Sequence, residues 1–333
     1  MFDISKVIQR ARVFTPGAIA AASLGGWLKR DEVIMGTSIS VELFSDSHAA
    51  GESALDAVMD EMHRIDRAMS PHRIESELSR INRDAAYEPV PLSAEMTRLL
   101  VRANEFAELS GGAFDISYAA VGQLYDYRRG IRPSDAALAQ AREAVGYQHL
   151  ILDPLERTLR FARPGMRIDL GGFAKGHAVD NTAAILHRLG VRHAMVSAGG
   201  DSRVIGDRRG RPWTIGVRDP RRPGEMAAVL PLEDVSISTS GDCERYFDVD
   251  GTRFHHLIDP FTGRSPSGVH SVTILAPDGI TAEALAKAVF VLGVDKGMRL
   301  IGSQAGVDAV VVDAAGALHY SSGLLAPGQN ARP

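Results

Sequence analysis

Arg167-Ile-Asp-Leu-Gly-Gly-Phe-Ala-Lys-Gly-His-Ala-Val-Asp180 is the stretch of this chain with the most chemistry in it. A short strand ending at Leu170, a Gly-Gly turn and a helix from near Gly176 would expose backbone N–H groups beside a positive helix end. That arrangement suits a phosphate, and Lys175 adds a full cation. The spacing G-x-x-x-x-G-K-[ST] is not met, so this is no Walker loop. Alone, Gly-Gly before a helix is more often a plain tight turn.

Further loops share the pattern. Ser197-Ala-Gly-Gly-Asp201, Ser238-Thr-Ser-Gly-Asp242 and His256-Leu-Ile-Asp-Pro-Phe-Thr-Gly263 each place hydroxyls, glycine and a carboxylate at a predicted strand end. Turn chemistry explains any one of them; together they point to a shared site. Gly112-Ala-Phe-Asp-Ile-Ser117 is another polar interruption in apolar surroundings. His255 and His256 are adjacent, so on an extended strand they face opposite sides and at most one enters a common pocket. His256, with Asp259 close behind, is the candidate general base, against the plainer reading of a histidine at a strand end. The segment Ala282–Leu292 is apolar nearly all round and should be a buried helix. Its two charges, Glu283 and Lys287, are four residues apart and therefore neighbours. Buried, they must either satisfy each other or face a polar pocket.

Elements must hold these loops. Val33–Phe44 alternates as a first strand. Leu55, Val58, Met59, Met62, Ile65 and Met69 form one face of a long amphipathic helix. Ser93 caps a second helix, closed by Gly111-Gly112, and Ser134 caps a third running to about Val145. Strands follow at His149–Leu152, Thr158–Phe161, His193–Val196, Trp213–Val217, Ser236–Thr239, Arg253–Ile258, Val269–Leu275 and Val307–Val312. Helices at Gly176–Leu189 and Ala282–Leu292 interrupt them. Because strands and helices do not alternate strictly, the class is α+β, with mostly antiparallel sheets packed against helices. One large domain is expected over residues 31–323, after an N-terminal extension (1–30) and before a loose tail (324–333).

Composition narrows the function. The net charge is −4 and no long basic run occurs, which argues against a nucleic-acid binder. A single cysteine, Cys243, excludes an internal disulfide and any cysteine-based zinc site. The 33 glycines make up roughly a tenth of the chain, against a typical ~7%. Lys6, Arg10 and Arg12 before Phe14–Leu24 mimic an export signal, although Pro16 and Gly17 interrupt it. A periplasmic or cell-envelope location is the resulting expectation, with the cytoplasm as the alternative. Any membrane association would run through that segment alone.

Read in order, these motifs resemble the ApbE family of FAD:protein FMN transferases. The matches are Met35-Gly-Thr37, Ser76-Glu-Leu-Ser-Arg-Ile-Asn82, Gly112-Ala-Phe-Asp115, Asp169–Asp180, Gly199-Gly-Asp201, Ser238–Asp242, His256–Gly263 and Ala282–Gly293. The resemblance implies a T-fold-like domain that binds FAD and Mg²⁺. It further implies transfer of FMN, through its phosphate, to a Ser or Thr hydroxyl of an acceptor flavoprotein (an electron-transfer subunit), with AMP leaving. Carried over, Met35, His72 in an aromatic slot, Ala113, Phe114, Asp115, Asp169, Lys175 and Leu257 would line FAD. His256, beside Asp259, would be the base, and the metal would lie between the Gly172 carbonyl and the positions of Glu283 and Lys287. The chain departs from the family where the metal should bind: the usual Ala-Asp-Ala-x-x-Thr reads Ala282-Glu-Ala-Leu-Ala-Lys287. An ammonium has donors only and cannot ligate Mg²⁺. His72 and Cys243 also stand where the family commonly has tyrosine. Either Lys287 takes over the metal's charge, or an ion pair fills a lost metal site. The latter would leave a non-catalytic FAD-binding paralogue or an FAD pyrophosphatase.

Overall fold

A computed structural model describes residues 25–222 and 224–325. The export-signal reading falls on residues 1–24, outside the described residues, as does most of the tail. The strands in chain order are β1 (Gly26–Ile34), β2 (Thr37–Ser45), β3 (Val90–Pro91), β4 (Leu150–Asp153) and β5 (Thr158–Phe161). Next come β6 (Ala194–Ala198), β7 (Asp201–Ile205), β8 (Trp213–Arg218), β9 (Met226–Leu232) and β10 (Ser236–Gly241). The last are β11 (Tyr246–Val249), β12 (Thr252–His255), β13 (Val269–Ala276), β14 (Asp308–Asp313) and β15 (Leu318–Tyr320). The helices are α1 (His48–Met69), α2 (Glu77–Asp84), α3 (Ala94–Leu109), α4 (Ala119–Gly122), α5 (Asp135–Arg142), α6 (Ala174–Arg188) and α7 (Gly279–Gly302).

An eight-stranded sheet, ordered β1-β2-β6-β7-β10-β13-β14-β15, is antiparallel at every pairing. The α+β class holds. One face is covered by α1 over β1 and β2, α6 over β6 and β7, and α7 over β10, β13 and β14. The predicted stripe on α1 is buried in full, from Leu55 to Met69. Each such side chain contributes about 1.5–3 kcal/mol of burial. The other face packs Val204, Ile237 and Leu275 against Trp213 and Leu232 of the β8–β9 hairpin.

Several expected boundaries move. Val33–Phe44 is not one strand but the heart of a hairpin. Met35 and Gly36 both take positive φ (55° and 68°), and the strands pair from Gly26–Ser45 to Ile34–Thr37. Two left-handed residues between paired strands are what a type I′ turn requires, and they match the strand twist. Residues 26–30, expected in the extension, are the first half of β1. The strand expected to reach Ile258 stops at His255. Past Leu292, Gly293 (φ 76°, ψ 178°) breaks the helical geometry, and a second helical stretch carries on to Gly302. Only glycine reaches that conformation without strain.

The fold brings the motifs together through two contacts. At the entry to α6, a Cβ on Gly176 would lie 2.3 Å from the Gly279 carbonyl oxygen, and one on Gly279 2.6 Å from that of Gly176. Glycine at both positions lets the N-terminal turns of α6 and α7 touch backbone to backbone. Asp180 locks them, its carboxylate accepting from the N–H groups of Gly279 (2.6 Å) and Ile280 (3.0 Å). The second contact is Asn82, at the end of its motif, whose amide donates to the Ile168 carbonyl (2.9 Å) and accepts from the Ile168 N–H (2.8 Å). That pair pins the Gly-Gly loop to α2.

Candidate functional site

Lys175 leaves the first turn of α6 and meets three acceptors. Its Nζ donates to Asp201 Oδ2 (2.9 Å), to the Gly171 carbonyl (3.3 Å) and to Glu283 Oε1. Lys287, one turn after Glu283 on α7, donates to the same Oε1 at 3.1 Å. Glu283 Oε2 accepts from the Gly176 N–H at 2.8 Å, and Ser238 Oγ donates to Asp201 Oδ1 at 2.5 Å. The side chains of Glu283 and Asp201 are 0% and 4% exposed; those of Lys175 and Lys287 are 23% and 18% exposed. Burial pushes the Lys175 ammonium down, but Asp201 and Glu283 outweigh it and hold it above the ordinary lysine range. Burial likewise pushes the Asp201 carboxyl up, and Lys175 and Lys287 bring it below its ordinary value. Two cations and two anions thus form a balanced cluster at the junction of β7, β10, α6 and α7.

This cluster corrects the expectation for the helix end. The N–H of Gly176 is capped by Glu283, and the N–H of Gly171 is held by Asp169 Oδ1 at 2.6 Å. Both donors, expected to be open, are engaged by carboxylates.

His256 stands beside the cluster. The pairing of β11 with β12 matches Tyr246 to His255, and one step on the His256 N–H donates to the Arg245 carbonyl (3.0 Å). Arg245 therefore neighbours His256, and it forms no ion pair among the described residues. The Nδ1 of His256 is shut away from solvent without a hydrogen-bond partner. Burial, followed by the positive charges of Lys287, Arg245 and Lys175, pushes the imidazole down to about 3. It is therefore neutral across the ordinary pH range. His255 turns the other way, its Nε2 2.9 Å from the Pro266 carbonyl and its ring edge-on to Phe290 of α7. The two adjacent histidines therefore have different surroundings.

The Asp259 carboxylate is not paired with His256. It accepts from the Phe261 N–H (2.8 Å) and Thr262 Oγ1 (3.0 Å), closing its own turn. With β12 ending at His255, the segment after it folds into that turn, and the carboxylate serves the loop. The rest of the loop does reach the neighbouring motif: a Cβ on Gly112 would meet the Phe261 ring at 3.3 Å.

The side chains expected to line FAD divide. Ala113 and Phe114 are buried, and Phe114 lies edge-on between Phe106 and Phe173. The Asp115 carboxylate accepts from the N–H (2.8 Å) and hydroxyl (2.7 Å) of Ser117 and from the Tyr147 N–H (2.7 Å). Burial outweighs these bonds and pushes its carboxyl up. Leu257 is also buried. Asp169 lies within 3.5 Å of the Tyr118 hydroxyl, and burial, then Asp169, pushes that phenol well up. Met35 is half-buried at the β1–β2 turn, where a Cβ on Gly36 would lie 4.0 Å from Arg245 Nη2. His72 is exposed on the turn after α1. Gly172 fits under Phe114, whose ring a Cβ would meet at 3.4 Å.

Arg245, Tyr118 and Asp201 adjoin the predicted site residues, and a sequence reading does not assign them. Asp201 lies in a recognised motif, and its position at a strand end is a usable signal. Arg245 has none, because β11 is too short and polar to be predicted and its register against β12 is what sets Arg245 beside His256.

The donor set does not fit Mg²⁺. That ion takes oxygen ligands at about 2.0–2.1 Å in near-octahedral geometry. Here all four carboxylate oxygens of Glu283 and Asp201 already accept from an ammonium, an N–H or a hydroxyl. Lys287 offers no lone pair. Among the described residues, no group of three or more His, Cys, Asp or Glu could hold a metal ion.

Comparisons with known proteins identify the family. A family model described as the ApbE family matches residues 35–311. The FAD:protein FMN transferase of Treponema pallidum (strain Nichols) is 34% identical over 302 residues, covering 85% of this chain and 83% of that protein. The Haemophilus influenzae protein of the same name is 34% identical over 307 residues, with 85% and 88% covered. Among solved structures, the ApbE protein of Thermotoga maritima superposes with a TM-score of 0.83 at 33% identity, covering 89% of this chain and 97% of that one. The flavin transferase ApbE of Vibrio cholerae gives a TM-score of 0.79 at 27% identity, with 90% and 98% covered. On sequence, fold and motif order alike, this chain belongs to the ApbE family.

Proposed function

We propose that this chain is an FAD:protein FMN transferase. A Ser or Thr hydroxyl of the acceptor attacks the FMN-side phosphorus of FAD. A new O–P bond forms there, the bond from that phosphorus to the bridging oxygen breaks, and AMP leaves with the bridging oxygen. The hydroxyl proton passes to His256. The observation that carries this reading is the neutral imidazole of His256, its Nδ1 without a partner, held beside the positive charges of Lys287, Arg245 and Lys175 in a chain similar to FAD:protein FMN transferases over most of its length.

The charges around His256 explain how a weakly basic imidazole can serve as the base. In the protein alone, burial and the three cations depress its basicity. An arriving pyrophosphate brings negative charge, offsets those cations and restores proton affinity when substrate is present. The same cations stabilise the charge that develops on the phosphoryl oxygens and on departing AMP. Met35, Asp169 and Lys175 border the flavin site in this reading. Ala113, Phe114, Asp115 and Leu257 set its wall, and His72 takes the aromatic slot. No step passes through a metal. The acceptor is an electron-transfer flavoprotein subunit at the cell envelope, a location resting on the basic and then small apolar residues before Leu24.

The test is direct. Incubate the purified chain with FAD and a candidate acceptor, then measure acceptor mass and free AMP. An FMN-sized adduct with one AMP released per transfer is expected. AMP without adduct would make the protein an FAD pyrophosphatase, and bound, unreacted FAD would make it a flavin-binding paralogue.

A further inference from the structure

We propose that the Lys287 ammonium is the group that grips the FAD pyrophosphate, so that FAD binding by this chain needs no divalent metal. The inference rests on the FAD-binding reading above and goes further, by naming what replaces an ion the donor set cannot hold.

Counting donors separates the two lysines. An ammonium has three N–H donors. All three on Lys175 have protein acceptors, namely Gly171, Asp201 and Glu283. Lys287 has one, Glu283 Oε1 at 3.1 Å, and no other among the described residues. Two donors of a side chain that is 18% exposed thus remain for an anion. Glu283, with no exposure, is the tether: four residues earlier on the same helix, it restricts the Lys287 rotamer and fixes where the charge sits. An ammonium held in this way acts as a compact point charge of the kind that binds phosphate. The neighbourhood also disfavours an added dication. The carboxylates that could attract one are already neutralised, and two ammonium groups would stand against it.

The full chain is titrated with FAD, following flavin fluorescence, once with EDTA and once with millimolar Mg²⁺, and Mg²⁺ alone is titrated by calorimetry. The expected Kd for FAD is the same within twofold in both, with no stoichiometric Mg²⁺ uptake. Lys287→Met should weaken FAD binding by about 10- to 100-fold in EDTA, as loss of a charge-assisted hydrogen bond implies. Lys287→Arg should keep most of the affinity. Circular dichroism checks the fold of each variant, and the EDTA-against-Mg²⁺ comparison on the parent needs no variant. FAD bound only with Mg²⁺, stoichiometric Mg²⁺ uptake by the parent, or a folded Lys287→Met variant with parental affinity would overturn the inference and leave the FAD reading intact. No FAD binding under either condition would overturn the FAD reading itself, and this inference with it.

Discussion

Two polar networks flank α6, and they use similar charges to opposite ends. On one side, Arg64 of α1 forks onto Glu61 and Glu95 at 2.6–2.7 Å, and His177 and Asn181 of α6 close onto the same carboxylates at 2.8 Å. On the other, Lys175 holds Asp201 and Glu283, and Lys287 shares Glu283 with it. The first network ties three helices together with the planar guanidinium fork that suits two carboxylates at once. His177 and then Arg64 hold the Glu95 carboxyl well below its ordinary range. The second is built from lysines, and one of them keeps donors in reserve. The bidentate pairing of the first suits structural glue, whereas in the proposed reading the unused donors of Lys287 beside an unpartnered imidazole suit the second to binding. Although His177 lies in the same motif as Lys175, it belongs to the glue.

The sharpest break between the networks should come from Lys175→Ala. It leaves Asp201 and Glu283, both shielded from water, sharing the single ammonium of Lys287. Removing one partner of a buried cluster costs about 3–5 kcal/mol, so urea unfolding should show a loss near the low end of that range, given the partial exposure of Lys175. FMN transfer should fall at least ~100-fold, because the site loses one of its positive charges and Glu283 loses the partner that helps it hold Lys287 in place. A variant with parental stability and transfer would remove the electrostatic distinction drawn between the networks.

His256→Gln should separate chemistry from binding. Removing a general base lowers the transfer rate by about 10²–10⁴-fold, while the Kd for FAD should move much less. It should also change the acid response of stability. In the fold His256 titrates at about 3, whereas in the unfolded chain it titrates near 6.5. Between those values the unfolded chain binds the extra proton, so this group makes stability fall as pH drops below about 6.5. The variant lacks that loss and should gain on the parent by up to ~1.4 kcal/mol per pH unit between pH 6.5 and about 3. Parallel stability profiles for the two proteins would show that the imidazole is not held neutral by its surroundings.

The contrasting variant is Glu95→Ala, which removes the shared acceptor of Arg64, His177 and Asn181. Arg64 is substantially exposed and its ion pairs are screened, so a loss of about 1–2 kcal/mol is expected in denaturant unfolding. The Kd for FAD should stay within twofold of the parent. A large loss of flavin binding without unfolding would mean the glue network also serves the site.

Much of this organisation is legible in the residues. The α1 stripe, the Ser93 and Ser134 caps and the buried Ala282–Leu292 helix follow from periodicity and capping, which are local. Motif order revealed the loops, and i,i+4 spacing the Glu283–Lys287 pair. What escapes is set by contacts distant in sequence. That Glu283 caps α6, rather than leaving its N–H groups to a phosphate, depends on the backbone contact of Gly176 with Gly279. Arg245 becomes a neighbour of His256 through the register of a short hairpin. The Met35-Gly36 turn reads as strand because alternation runs straight through it, and only positive φ at both residues reveals the reversal.

The smallest effect should come from Asp259→Asn, which tests whether nearness in sequence implies partnership. Asp259 lies three positions after His256, an interval that invites reading the pair as a base and its orienting carboxylate. Yet both carboxylate oxygens are engaged within the turn, by the Phe261 N–H and the Thr262 hydroxyl. Asparagine keeps the oxygen that accepts from Phe261 and gives up only the bond with Thr262, a loss of about 0.5–1.5 kcal/mol. Transfer should therefore stay within a few-fold of the parent, and its pH profile should not shift. A drop as deep as that of His256→Gln, with a displaced pH profile, would mean that the turn opens in the working enzyme to bring the carboxylate to His256. The saturated and unsaturated regions could then exchange members, and Asp259 would belong with the lysines.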